Sequence, residues 1–211
     1  MNPHLKPSTQ PTSPRLAAHS MQRRAGLRRI GSGLGLALLV LGPTALTGCA
    51  SAPQIDDYAA EKPAFDLARY FNGQVDGWGI FTDRAGRVVR RFVVTMACTW
   101  NGDQGVLDED FVYSDGQRQK RIWRLRRTAQ ADGRITYEGT ADDVVGTGRG
   151  SQRGNAFRWG YTLLVPVDGR TLEFQFDDWM YQIDERVVIN KATMSKFGIT
   201  VGELVVTFTR R

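Results

Sequence analysis

The chain has 211 residues, with 28 Lys and Arg against 22 Asp and Glu, two histidines, two cysteines and a formal net charge of +6. Six of the basic residues (Lys6, Arg15, Arg23, Arg24, Arg28 and Arg29), both histidines (His4 and His19) and no acidic residue fall within positions 1–48, so positions 49–211 are formally neutral and hold no imidazole. That excludes Ser-His-Asp and Cys-His catalysis and imidazole-based zinc sites there, and leaves none of the basic excess that nucleic acid calls for.

Positions 1–48 read as a lipoprotein signal peptide. Arg23, Arg24, Arg28 and Arg29 form a basic segment, and Ile30–Leu41 an apolar one interrupted by Gly31, Gly33 and Gly35. The run falls short of the roughly 20 apolar residues a spanning helix needs. Leu46-Thr47-Gly48-Cys49 then has the form of a cleavage site, with Cys49 the expected lipidation site. The polar, Pro/Ser-rich opening leaves either Met1 or Met21 as the start. Ala50, rather than Asp, follows Cys49, which by similarity to sorting in enteric bacteria implies the periplasmic face of the outer membrane. Lipidation of Cys49 would leave Cys98 without a disulfide partner. Positions 49–63, polar and carrying Asp56, Asp57 and Glu61, read as a flexible tether. Positions 64–211 read as one folded domain, long enough to bury its own core.

Within that domain, short β-runs alternate with Gly, Asp and Asn turns. Phe65–Phe71 allows one or two helical turns, and Gln74–Thr82 a strand with Trp78 and Ile80. Phe92, Val94, Met96, Cys98 and Trp100 share one face of the clearest period-two run, which assigns Cys98 to the core. Val106–Tyr113 carries Asp108, Glu109 and Asp110, and Gln117–Arg127 carries Arg118, Lys120, Arg121, Arg124, Arg126 and Arg127. Across a tight turn these predict cross-strand ion pairs on the solvent side, with an anion site on the arginines as the functional alternative. Gly146–Gly150 has no helix pattern after it and reads as bent strands rather than a phosphate loop, with Ser151–Asn155 as a turn. Phe157, Trp159, Tyr161, Leu163 and Val165 alternate, as do Leu172, Phe174 and Phe176, and later Leu204, Val206 and Phe208. The whole predicts an all-β antiparallel meander of roughly eight to ten strands closing into a barrel, which removes exposed edges.

Several of these segments resemble motifs of one family. They are Phe65–Gly73, Asp108–Gly116, Arg121-Ile122-Trp123, Gly139–Gly146, Asp177–Tyr181 and Met194–Gly198. The resemblance is to the proteobacterial domain-of-unknown-function family 3833, whose members are described as lipoproteins; it implies the domain boundaries and the lipid anchor, and no catalytic residues. Asp66–Phe71 followed by Gly73 is also similar to the lipocalin opening, with Val75 where a tryptophan would stand, which implies a calycin-like barrel.

Paired carboxylates are the only catalytic raw material in quantity. Asp142-Asp143 and Asp177-Asp178 each point to opposite faces of a strand. Asp178, in phase with Phe174 and Phe176, would need an inward partner, for which Lys196, Asn190 and Arg158 are candidates, or would end its strand in water. Two-carboxylate glycosidase chemistry would need a second acid at a set distance, and an enzyme ranks third among the readings. The first is a non-enzymatic barrel binding a lipid or other hydrophobic molecule in a cavity lined by Trp78, Trp159, Phe176, Asp178, Trp179 and Tyr181, with no metal, cofactor or nucleic acid. The second is a structural or envelope-assembly lipoprotein with a solid core, acting through protein partners.

Overall fold

The computed structural model describes residues 52–211 other than Asp168; the leader and Cys49 lie outside the described residues. A single antiparallel meander follows a short N-terminal segment. Its strands are β1 (Gly73–Asp83), β2 (Val88–Asn101), β3 (Gln104–Tyr113), β4 (Arg118–Ala129), β5 (Ile135–Thr140), β6 (Gly148–Arg153), β7 (Ala156–Val167), β8 (Arg170–Gln182), β9 (Val187–Lys196) and β10 (Ile199–Arg210). Each pairs with its neighbours in sequence, and β10 pairs with β1 from Val75↔Arg210 to Asp83↔Gly202, closing the barrel.

Alternation builds the wall. In β2, Phe92, Val94, Met96 and Cys98 are buried while Arg91, Val93, Thr95, Ala97 and Thr99 are exposed, as a pleated strand with one dry face requires. The hairpins turn on Asp and Gly. At the β1–β2 turn the Asp83 carboxylate accepts from the backbone N–H of Ala85 and Arg87, and Gly86 takes φ +78°, which a residue with a Cβ seldom adopts. β6 includes residues 148–153, so of the residues expected in a turn Ser151 and Gln152 are paired on both sides and Arg153 with β7.

One end of the barrel is plugged. A single helical turn, α1 (Leu67–Tyr70), is capped by Asp66, whose side chain accepts from the Arg69 N–H, and buries Leu67, Ala68 and Tyr70 together with Phe71. Three strand-borne contacts pin it. Gln152 Oε1 accepts from the Leu67 N–H at 3.1 Å and from the Tyr137 hydroxyl at 2.8 Å. Trp100 Nε1–H donates to the Phe71 carbonyl at 2.8 Å. The Tyr70 hydroxyl lies 2.8 and 3.0 Å from the carbonyl oxygens of Arg186 and Phe208.

Ahead of the plug, residues 52–63 differ from the flexible tether expected of them. Ile55–Tyr58 forms a 3₁₀ turn with Ile55 buried. Asp56 takes both oxygens to Arg134 at 2.7 and 2.9 Å, and Tyr58 packs on Trp179 and Tyr181 with ring centroids 5.6 and 5.3 Å away. Gly154 makes the docking possible: it has φ +54°, and a Cβ there would lie 1.7 Å from the Tyr58 carbonyl oxygen. Polar composition concealed this segment because only Ile55 and Tyr58 carry its apolar contact.

Candidate functional site: a cavity inside the barrel

The barrel interior encloses a cavity of about 590 Å³. Leu67 and Phe71 of the plug form its floor, and its other end opens between the β1–β2, β3–β4 and β7–β8 hairpins, where Val89, Gln117 and Pro166 reach the lining. The exposed apolar side chains Val88, Val89, Phe197 and Ile199 lie in or beside the β1–β2 and β9–β10 hairpins at the open end.

Aromatic rings make up much of the wall. Trp123 meets Trp159 edge-on at 5.5 Å and Tyr161 at 5.3 Å, and Tyr161 stacks on Phe176 at 5.1 Å. Trp159 fits because the strands beside it lack side chains. A Cβ on Gly148 would come within 2.7 Å of its ring, one on Gly150 within 2.8 Å, and one on Gly139 within 3.2 Å. Gly139, Gly148 and Gly150 are therefore a seat for an indole.

A polar cluster is set into this apolar wall. Asp143 takes Arg121 bidentately, from Nε and Nη2 at 2.9–3.0 Å, and accepts a further hydrogen bond from Gln119 Nε2 at 3.0 Å. Tyr113 completes the chain by donating to Gln119 Oε1 at 2.9 Å. Glu109, directly opposite Arg121 in the β3–β4 register, lies 3.8 Å from Arg121 Nη1, beyond hydrogen-bond length. On β8, Asp178 is buried; its Oδ2 has a long 3.4 Å contact from the Tyr161 hydroxyl, and its Oδ1 has no partner.

Burial governs the titration of these groups. It pushes the Glu109 carboxyl up to about 7 against the pull of the Arg121 charge. It raises Asp178 to about 7 as well, although the Tyr161 hydroxyl and Arg121 both favour its ionised form. Tyr161 is driven well above the ordinary phenol range by burial and by the Asp178 charge. Burial also opposes the Arg121 charge, but the Asp143 hydrogen bonds and the field of Glu109 outweigh it and keep the guanidinium protonated. Among the described residues, no group of three or more acidic or Cys side chains is placed to hold a metal ion.

Of the six residues expected to line a cavity, Trp159, Phe176 and Asp178 do so, and Trp78, Trp179 and Tyr181 do not. Trp78 is 52% exposed because the inward positions of β1 beside it are Gly77 and Gly79, over which Val94, Phe208 and Phe92 pack. Glycine at these two positions leaves only Val75 and Phe81 to mark the inner face, and the tryptophan suggested the wrong one. Trp179 and Tyr181 alternate with the inward Asp178 and so face outward, where they receive Tyr58. The partners considered for Asp178 are engaged elsewhere: Arg158 with Asp177 at 2.7 and 3.0 Å, Lys196 with the Glu173 carbonyl, and Asn190 with the Trp179 carbonyl. Cys98 is a buried free thiol that burial pushes up to about 12.

The expected solvent-side ion pairs are correct for Lys120 with Asp108 and Asp110 and incorrect for Glu109 and Arg121, which face inward. The signal was present in the alternation. Glu109 is in phase with Leu107 and Phe111, and Arg121 with Trp123 and Leu125.

A closed ten-strand meander with a helical plug at one end and an open cavity at the other defines a lipocalin-like barrel. The fold is similar to that of the S-type phycobiliprotein lyase CPES of Guillardia theta, which superposes with a TM-score of 0.53 at 8% identity over 75% of this chain and 98% of that one. The chain belongs to the family described as protein of unknown function (DUF3833), whose model matches residues 43–210. No curated protein matches it.

Proposed function

We propose that this chain is a non-enzymatic binding lipoprotein, a barrel that takes a lipid or other hydrophobic small molecule into its cavity while Cys49 anchors it to a membrane. The observation that carries the reading is the cavity itself. At about 590 Å³ it falls in the roughly 300–1,000 Å³ range of small-molecule sites and has their usual construction, an apolar aromatic lining with a few placed polar groups. A solid core, which a purely structural lipoprotein would have, is not what the interior contains. The fold likeness to a lyase that handles phycobiliproteins is consistent with a barrel that receives a ligand. The anchor rests on Leu46-Thr47-Gly48-Cys49 behind its basic and apolar segments, and the outer-membrane address on Ala50.

Native mass spectrometry of protein purified from its host membrane tests the binding reading. Co-purifying hydrophobic mass should be present in wild type and lost in Val206→Trp, which fills the cavity from the β10 wall. Wild-type protein that carries no such mass and does not brighten a neutral naphthylamine dye would overturn it. For the anchor, Cys49→Ser should move the protein from the membrane to the soluble fraction; retention in the membrane would refute lipidation there.

A further inference from the structure

We infer that the cavity selects an amphiphile whose buried polar end donates hydrogen bonds, a hydroxyl, amide or protonated amine, and discriminates against a carboxylate or phosphate head. The inference rests on the ligand-binding reading above and specifies which ligand chemistry that site takes.

Asp178 carries the argument. It is 5% exposed, lines the cavity, and its Oδ1 has neither solvent nor a protein donor. A buried carboxylate oxygen without a donor is costly, and the polar side chains that share its cavity do not supply one: the Tyr161 hydroxyl reaches Oδ2, at 3.4 Å, and Asn190 Nδ2 donates to the Trp179 carbonyl. A ligand donor is the group this oxygen lacks.

Glu109 supplies a second acceptor in the same cavity. Its approach to Arg121 is 3.8 Å, whereas Arg121 spends Nε and Nη2 on Asp143. Asp143 thereby neutralises the cation beside them, and the other two arginines of the lining, Arg90 and Arg118, stand near the starts of β2 and β4 at the open end of the cavity. Once ionised, Glu109 and Asp178 are acceptors only. A carboxylate or phosphate head placed here would meet two acidic groups and an arginine already occupied. A donor head satisfies Asp178 Oδ1 directly, and the rings of Trp123, Trp159 and Phe176 cover the apolar body.

The test compares ligands of one chain length that differ only at the head: lauryl alcohol, laurylamine and laurate, competed against the neutral naphthylamine dye at about pH 8.5, where Glu109 and Asp178 are ionised. The alcohol and the amine should displace the dye on the order of tenfold more tightly than laurate. In Asp178→Asn, whose amide supplies a donor of its own, that preference should shrink several-fold or reverse while dye binding persists. Laurate binding as tightly as the alcohol and amine, or a preference unchanged in Asp178→Asn, would overturn the inference. Failure of the dye to bind wild type would instead overturn the cavity reading beneath it, so the two outcomes are separable. Asp178→Leu, similar in size and without polar atoms, controls for folding: it should bind dye and show no head-group preference.

Discussion

At the residue scale, the interior charges decide both stability and its pH dependence. Arg121 is paired to Asp143 and stands over the Phe111 ring at 5.5 Å; Arg121→Leu would strand Glu109 and Asp143 without their cation. Removing one partner of a buried pair costs about 3–5 kcal/mol. Asp143 keeps 23% side-chain exposure, so we expect about 2–4 kcal/mol from urea unfolding. Glu109 and Asp178 titrate near 7 when folded and near 4.3 and 3.9 when unfolded. Between those values the native state binds more protons than the unfolded chain, so their contribution is fully present below about pH 4 and is lost as pH rises through about 7. Asp76, Asp83, Asp115, Asp132 and Glu138 work in the opposite sense, because their guanidinium and backbone N–H partners hold them below the usual carboxylate range; their support disappears in acid. Stability should therefore peak at mildly acidic pH, and Asp178→Asn should flatten the fall between about pH 4 and 7 in thermal melts. An unchanged slope in that variant would mean that Asp178 does not titrate there.

Strands and turns were largely legible in the chain because each hydrophobic run has period two and each hairpin has its Asp/Gly turn. β2 is the clearest case, and its alternation placed Cys98 in the core. What escaped has a common cause: the inward face of some strands is marked by glycine or by a charge instead of an apolar side chain. Gly77 and Gly79 concealed the inner face of β1, and Glu109 and Arg121 looked like the solvent face of β3 and β4. Gly146–Gly150 was legible as bent strand, but the rest of β6, Ser151–Arg153, escaped for the same reason, since Gly148 and Gly150 face Trp159 and leave the strand without a hydrophobic stripe. These glycines are testable at the level of the element. A Cβ on Gly150 would stand 2.2 Å from the Arg158 carbonyl oxygen of the adjoining strand, so relief requires β6 to move away from β7. Gly150→Ala should cost about 1–3 kcal/mol and perturb the near-ultraviolet dichroism of Trp159. Little change in either would mean that the β6–β7 pair yields easily at that point.

At the scale of the barrel, closure depends on its first and last strands meeting, with β1 and β10 in register over nine residue pairs and Arg211 bound to Asp76 at 2.6 Å. Deleting residues 199–211 would bare an edge on β1 and another on β9, and the product should aggregate rather than persist as an open sheet. The same closed wall surrounds Cys98, which sits between Gly73 of β1 and Leu107 of β3. Among the described residues it is the sole thiol, and its proton is held by burial. A thiol reagent can reach it only when neighbouring strands part, so in lipidated protein, or in Cys49→Ser, the alkylation rate becomes a clock for breathing of the barrel. A ligand that bridges opposite walls of the cavity should slow that clock in proportion to its occupancy, which would report binding without any dye or label on the ligand.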